Sequence, residues 1–224
     1  MINQTMDFRN NLLMSGLIVL IMFAIGGYVW IQIPAGAEVC THWNAAGICD
    51  DYGSKFVSIL LMPIIVAGVA ALLAWVPRFD PRAAHLAQSG KAYTAVWVGI
   101  LLFFLAVYVT LMLNVLGYAD NVGAMIPLLI GLLFMVIGNY LGKVRSNFIM
   151  GIRTPWTLSS ELSWNKTHRL GGRLFVLLGL VFVISGFVFP GGAWIYVLVS
   201  SVLLVVGFLM AYSYVVWKGE QVTG

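Results

Sequence analysis

The sequence is poor in charged residues, in cysteine and in regular repeats, and each shortage excludes a class of protein. Asp, Glu, Lys and Arg make up 9 % of the 224 residues, against about 25 % in a typical soluble domain, which excludes a water-soluble domain. Two cysteines are too few for a secreted disulfide scaffold, and the 24 glycines follow no collagen period. Hydrophobic residues make up 61 %, which excludes a disordered chain. An integral membrane protein remains.

Charge-free tracts indicate where the chain crosses the membrane. Asp, Glu, Lys and Arg are absent from residues 10–37, 56–77, 92–119, 121–142 and 174–217. Because a transmembrane helix needs roughly 20 apolar residues, each of the first four tracts predicts one helix. The last tract contains the turn signal Pro190-Gly191-Gly192 and predicts two. We therefore predict an all-α integral membrane protein with six transmembrane helices, at about 12–32, 56–76, 93–115, 125–141, 174–189 and 193–216, the fifth being the shortest.

The basic residues predict the orientation. Six spans place both termini on one side, together with residues 77–92 and 142–173. That side holds eleven of the 12 Lys and Arg residues, and the other holds only Lys55. The positive-inside rule then makes both termini and the basic segment 142–173 cytoplasmic, and the loop 33–55 extracytoplasmic. The pI near 9.2 thus reflects orientation, so we predict contacts with anionic lipids and no direct nucleic-acid binding.

The outer loop 33–55 is richer in polar chemistry than a connector requires. We predict that its polar and aromatic residues form an outer binding site: His42, Trp43, Asn44, Gly47, Asp50, Ser54 and Lys55.

Cys40 and Cys49 lie in this loop, on the predicted oxidising side of the membrane. Their spacing favours a disulfide, which the chain-entropy treatment values at about 2–3 kcal/mol. Two free thiols are one alternative. A metal site that adds His42 and Asp50 is another, but C-x-H-x6-C is not a standard zinc spacing. We therefore predict no metal and no other cofactor.

The inner segment 142–173 carries six of the 12 Lys and Arg residues. We predict an extended stretch over 151–156, because a residue before proline avoids the α region. A short interfacial helix should follow, capped by Ser159 or Ser160 and ended by Gly171-Gly172, with Trp164 and His168 on one face.

A basic loop that sets topology and touches lipid headgroups would explain the charge of this segment, but not its other polar and glycine positions. We therefore predict an inner docking site, made of Asn139, Lys143, Asn147, Gly151, Arg153, Thr154, Pro155, Trp156, Trp164, Lys166, His168 and Arg169. Just before it, Gly138-x-x-x-Gly142 is a small-xxx-small motif, which predicts close helix packing inside the bundle.

The inner pattern resembles the signature of the SdpI family. The matching residues are Gly138-Asn139, Lys143, Asn147, the run from Gly151 to Leu158, Trp164, Lys166, Thr167, His168 and Arg169. The outer residues Thr41-His42-Trp43-Asn44, Gly47, Asp50, Ser54 and Lys55 are similar to the motif of an uncharacterised domain that commonly precedes it. The Cys40/Cys49 pair departs from the family pattern.

The resemblance implies a bacterial multi-pass plasma-membrane protein that gives immunity to a secreted toxic peptide. It also implies signalling, in which a toxin-engaged protein holds a cytosolic repressor at the membrane. We expect the toxic peptide at the outer face and the repressor at the inner face. We also expect a two-helix unit at 1–91 and a four-helix SdpI-like unit at 92–224, in one compact bundle. Toxin binding would shift helices 1–2 relative to helices 4–5.

Two other functions stay open from the residues. A membrane-embedded metal-dependent hydrolase would have to use His42 with Asp50 and Asp51 or the cysteines, although neither H-E-x-x-H nor G-x-S-x-G occurs. A small-molecule or lipid transporter would need a polar cavity near Asn114 and Asn139, the strongly polar residues well inside spans. Transporters usually carry ionisable residues there, and enzymes a catalytic set, so we predict neither transport nor an enzyme.

Overall fold

The computed structural model describes residues 8–120, 122–189 and 191–223. In chain order the elements are α1 (Phe8–Gln32), β1 (Val39–Trp43), β2 (Cys49–Gly53), α2 (Leu61–Trp75), α3 (Ala83–Gln88), α4 (Gly90–Val115), α5 (Val122–Leu141), α6 (Pro155–Ser159), α7 (Glu161–Val188) and α8 (Trp194–Thr223). A π-helical turn precedes α2 and a 3-10 turn follows it, giving one apolar stretch, Phe56–Phe79. With α1, α4, α5, α7 and α8, this stretch makes six helices long and apolar enough to cross a membrane within the described residues. The predicted span count is confirmed.

The fifth span differs most from its prediction. α7 has 28 residues and runs from Glu161 to Val188, so the prediction that it is the shortest span is wrong. The prediction that Gly171-Gly172 ends a separate short helix is also wrong. Both glycines are buried inside α7, where a helix in a membrane bundle uses small residues to approach its neighbour. The cap at Ser160 is confirmed, because its side chain accepts a hydrogen bond from the Ser163 amide.

The outer loop contains an antiparallel hairpin that the sequence did not indicate. β1 pairs with β2, with Val39 opposite Gly53 and Trp43 opposite Cys49. The hairpin is a small addition to a helical protein. It connects α1 to the second span and lies at one end of the bundle, which we call the outer face following the predicted orientation. The opposite end, with residues 77–92 and 142–160, is the inner face.

The inner connections contain two short helices, α3 and α6. Thr154 is extended, as predicted for a residue before proline, with φ −105° and ψ 161°. Pro155 and Trp156 begin α6, so an extended stretch through 156 is wrong, because proline suits the first helical turn. Of the predicted turn near 190, Pro190 lies outside the described residues. Gly191 and Gly192 have φ of +65° and +85°, and α8 begins soon after them.

The helices pack into a core around α1, α2 and α4, while α5 and α7 make the most extensive interface of the protein. In that interface a Cβ on Gly138 would lie 2.6 Å from the carbonyl oxygen of Gly172, and one on Gly172 would lie 2.7 Å from that of Gly138. The small-xxx-small motif therefore packs inside the bundle, as predicted. On the outside, Leu203 and Leu204 of α8 are 66 % and 73 % exposed, as expected for lipid-facing side chains.

Candidate functional site

The tip of the outer hairpin is a tight turn organised by Asn44. Its side-chain oxygen accepts hydrogen bonds from the amides of Ala46 and Ile48, at 2.9 and 3.2 Å. Gly47 closes the turn with φ +79°, a conformation that glycine adopts without steric cost. A Cβ at this position would also overlap the backbone nitrogen of Gly123 at the start of α5. Asn44 and Gly47, both predicted binding residues, therefore shape and dock the hairpin.

Two tryptophans fasten the hairpin to the helices. Trp43 Nε1 donates to Asn114 Oδ1 near the end of α4, at 2.7 Å. Trp194 Nε1, at the start of α8, donates to the carbonyl oxygen of Ala45, at 2.8 Å. A loop that belongs to the first two spans is thus bound to the outer ends of α4, α5 and α8.

An apolar cleft opens where the hairpin meets these helix ends. It has a volume of about 640 Å³, within the range of small-ligand sites. Its lining is mostly apolar and includes Trp43 and Trp194. Other apolar side chains of the lining come from segments that were predicted only as membrane spans. The further lining residues include Leu111, Val122, Ile126 and Ile195. The sequence gives no local signal for this cleft, because its walls come from four distant segments.

His42 and Asp50 stand at the hairpin surface. His42 Nδ1 lies 2.6 Å from Asp50 Oδ1, and the two side chains are 65 % and 43 % exposed. His42 also lines the cleft, so this pair gives the apolar site a polar rim.

The predicted disulfide is formed between Cys40 and Cys49, whose Cα atoms lie 5.9 Å apart. It closes the hairpin across the two strands. Because a disulfide sulfur is not a thiolate, the pair supplies no metal ligand alongside His42 and Asp50. Within the described residues, no group of three His, Cys, Asp or Glu side chains could hold a metal ion.

Ser54 and Lys55 hold the end of the hairpin. Ser54 Oγ accepts from the amide of Val57. Lys55 Nζ donates to the carbonyl oxygens of Trp30 and Ile33, both at 2.7 Å, and lies over the Trp30 ring. Most of the predicted outer residues thus have structural contacts, and their assignment to a binding site stays a prediction.

On the inner face, Asn147 organises the loop after α5. It is completely buried. Its side-chain oxygen accepts from the amides of Ile149 and Met150, and its Nδ2 donates to the Arg145 carbonyl. Such an arrangement fixes the loop backbone, so Asn147 acts as scaffold.

Trp164 and His168 share a helix face, as predicted, and stack with ring centroids 3.9 Å apart. Both are buried. His168 Nε2 accepts from the amide of Ile152 at 2.9 Å, while its Nδ1 faces the Trp164 carbonyl at 2.8 Å. Since one ring nitrogen accepts and the other donates, the imidazole is neutral. Gly151, with φ +122°, lies directly over this ring, and a Cβ there would overlap it.

Thr154 and Pro155 fix the start of α6. Thr154 forms a capping box with Thr157 and lies 3.1 Å from Ser213 Oγ of α8. Trp156 packs against Tyr214 of α8, with ring centroids 5.2 Å apart. These contacts attach the inner segment to the last helix.

The charged members of the predicted docking site are exposed. Arg153 and Lys166 face solvent, and Arg153 donates to the carbonyl of Phe148. Asn139, Lys143 and Arg169 instead line one groove beside the α5–α7 crossing. The predicted inner residues thus divide into a buried scaffold and separate exposed groups.

Sequence reasoning missed Asp80, Arg82 and His85, which bind residues 77–92 to the inner segment. Asp80 is buried and accepts from the amides of Arg82 and Phe148, at 2.7 and 3.0 Å. Arg82 donates to Ser146 Oγ and to the Leu158 carbonyl, and His85 contacts the Ser146 carbonyl. One signal was available: Asp80 is the only carboxylate of an otherwise basic loop.

Two family models match separate parts of the chain. Residues 143–213 match the family described as SdpI/YfhL protein family, and residues 17–67 match a domain of unknown function, DUF1648. The chain is 31 % identical over 117 residues to the protein named Immunity protein SdpI of Bacillus subtilis (strain 168). That match covers 51 % of this chain and 56 % of the relative. No solved structure matches the chain. The chain is therefore a multi-pass cell-membrane protein with a segment similar to the SdpI/YfhL family, preceded by a segment similar to DUF1648.

Proposed function

We propose that this chain is a non-catalytic membrane immunity protein that binds a secreted toxic peptide in its outer cleft. The cleft is the observation that carries the proposal: it holds about 640 Å³, it is mostly apolar, and it lies at the outer end of the helices. Apolar walls with few polar groups suit the side chains of a membrane-active peptide. The name of the Bacillus subtilis relative, an immunity protein, supports the same class of function.

Charge at the outer face favours a cationic peptide. The outer side carries Glu38, Asp50, Asp51 and Asp120 against the single base Lys55. A negative outer face attracts a positively charged peptide and raises its association rate. Lys55 does not line the cleft and instead donates to the carbonyls at the end of α1.

A chain of contacts runs from the hairpin at the outer cleft, through α5 and α7, to the inner face. Its tip contacts the start of α5 at Gly123, and α5 crosses α7 at Gly138 and Gly172. α7 in turn carries His168, which binds the backbone of the inner segment. A peptide that displaced the hairpin would therefore shift α5 and α7 relative to α1 and α2, which is the movement a signalling receptor requires.

We predict that filling the cleft removes protection. Ile126→Trp puts an indole into the cleft, whereas Leu132→Trp puts the same indole on the exposed side of the same helix, where Leu132 is 48 % exposed. In a sensitive bacterium challenged with a secreted, membrane-active toxic peptide, Ile126→Trp should lower the tolerated dose about tenfold or more. This corresponds to roughly 1.4 kcal/mol of lost binding. Leu132→Trp should protect like the wild type at matched membrane levels. Equal protection by both variants would refute the cleft as the site.

Recruitment of a cytosolic repressor is a separable part of the proposal. Arg153 and Lys166 are exposed on the inner face, and Trp156 lies nearby in the chain at the start of α6. A guanidinium and an indole suit recognition of carboxylates and aromatic groups on a protein surface.

We predict that Arg153→Ala abolishes membrane recruitment of the repressor while protection persists. The measurement is the membrane-bound fraction of a tagged repressor in toxin-treated cells, beside survival of the same cells. Lys91→Ala removes an exposed charge of the same face and should change neither. If Arg153→Ala lost both activities at wild-type protein levels, the two faces would not divide the work as proposed.

Two other functions have less support. A hydrolase would need metal ligands beyond the exposed His42–Asp50 pair, and zinc bound stoichiometrically to the purified protein would favour it. A transporter would place Asn114 and Asn139 in one polar cavity. Asn114 is bound to Trp43 and to the Ala119 carbonyl at the outer end. Asn139 lies near the other end of α5, roughly 25 Å along the helix from Val122.

A further inference from the structure

A groove at the inner end of the α5–α7 interface lies apart from the outer cleft and from Arg153, Trp156 and Lys166, the residues proposed to recruit the repressor. It has a volume of about 500 Å³. The close crossing of the two helices at Gly138 and Gly172 forms its base, since neither residue has a side chain to fill the space. Gly142 extends the opening, and the stem of Arg169 lies against it, with Arg169 Cα 3.4 Å from the position of a Cβ.

The groove is lined by hydrogen-bond donors, and its charged side chains are all positive. Lys143, Arg169 and Arg173 surround it together with the amide of Asn139, and all four residues are exposed. Within residues 8–120, 122–189 and 191–223, none of the three cations forms a salt bridge, the ion pair found there being His42–Asp50. Three neighbouring cations repel one another, and a bound anion relieves that repulsion.

The surface around the groove indicates that the anion belongs to a lipid. Val176 forms its apolar side. On the next turns of the same helix, Leu177 and Leu180 are 56 % and 44 % exposed on the surface of a membrane-spanning segment. A ligand with a negatively charged phosphate and long apolar chains satisfies both regions at once, while a free anion satisfies only the basic one.

We propose that this groove binds the phosphate headgroup of an anionic phospholipid of the inner leaflet, with the acyl chains along the apolar surface of α7. Arg169 and Arg173 are one helical turn apart and both present forks of N–H donors that match phosphate oxygens. Lys143 adds a point charge from the end of α5, and its Nζ lies 4.7 Å from the centre of the Tyr140 ring. The site does not depend on the proposed immunity function, because none of its residues lines the outer cleft.

The test compares two double variants that remove the same charge from the same face. Arg169→Gln/Arg173→Gln removes charge from the groove and keeps the Arg169 stem over Gly142. Arg78→Gln/Lys91→Gln removes it from exposed positions outside the groove. Each purified protein is titrated in detergent with phosphatidylglycerol, with phosphatidylcholine and with inorganic phosphate. The readouts are the melting temperature and the number of lipids retained in native mass spectrometry.

We expect phosphatidylglycerol to stabilise the wild type and the Arg78→Gln/Lys91→Gln variant, with phosphatidylcholine much weaker. The groove variant should bind phosphatidylglycerol at least about tenfold more weakly than the wild type. Arg169→Lys/Arg173→Lys should recover part of the binding. An equal loss in both Gln double variants would mean unspecific charge attraction and overturn the proposal. Stabilisation by inorganic phosphate as strong as by the lipid would overturn it as well, as would lipid retention unchanged in a folded groove variant.

Discussion

Replacement of Gly47 by alanine is expected to abolish protection, because the residue serves two structural purposes at once. Its φ of +79° is unfavourable for an L side chain, which costs about 1 kcal/mol. A Cβ would also overlap the backbone of Gly123, and neither backbone can move without separating the hairpin from α5. Overpacking of this kind typically costs about 1–3 kcal/mol more. We therefore expect an undocked hairpin and a tenfold or greater loss of tolerated toxin.

Gly36 provides the matched control. Its φ is +77°, nearly that of Gly47, but no described atom lies within 4 Å of where its Cβ would be. Gly36→Ala thus has the backbone strain without the collision. Hydrogen exchange of the amides in 39–53 should accelerate strongly in Gly47→Ala and little in Gly36→Ala. Equal behaviour of the two variants would show that docking against α5 does not support the outer site.

Gly172→Val is expected to have the largest effect on the folded bundle. Even a Cβ at this position would lie 2.7 Å from the Gly138 carbonyl oxygen, so two helices in backbone contact would have to separate. In a bilayer such packing is a main source of helix association. α7 also carries Trp164 and His168, which hold the inner segment through the carbonyl of Val144 and the amide of Ile152.

We expect Gly172→Val to lower the melting temperature in detergent and the level of protein in the membrane, and to expose the 142–160 segment to protease. Gly207→Val in α8 is the control, since its Cβ would meet nothing within 4 Å among the described residues. Wild-type stability of Gly172→Val would contradict the close α5–α7 crossing.

The membrane spans were predictable because the bilayer admits few alternatives. A charge-free tract of about 20 residues has to satisfy its backbone internally, so it becomes a helix. Packing inside the bundle explains why the prediction for α7 was wrong. Gly171-Gly172 would favour a helix end in water, but in the bundle Gly172 lets α7 approach the α5 backbone at Gly138, and Gly171 leaves room for the Ile152 side chain. The polar stretch before it continues the helix because Ser160 caps it and because its buried face packs on residues 144–152.

The site was harder to predict than the spans, because its parts come from segments far apart in sequence. Asn44 and Gly47 were predicted to belong to the outer binding site. Their contacts with Ile48 and Gly123 show that they support the hairpin. The cleft walls Leu111 and Ile126 look like any lipid-facing residue in the sequence. They become walls of a cleft only because the hairpin packs against the ends of three helices.

The most direct test of the account places a photo-reactive amino acid in the cleft of the working protein. Bacteria carrying benzoylphenylalanine at position 126, or at the exposed position 132 of the same helix, are treated with the toxic peptide and illuminated. The account predicts a covalent adduct of protein and peptide at position 126 that excess unlabelled peptide suppresses, and none at position 132. Adducts of equal yield at both positions, or none at 126 in cells that the protein protects, would contradict the outer cleft as the site of immunity.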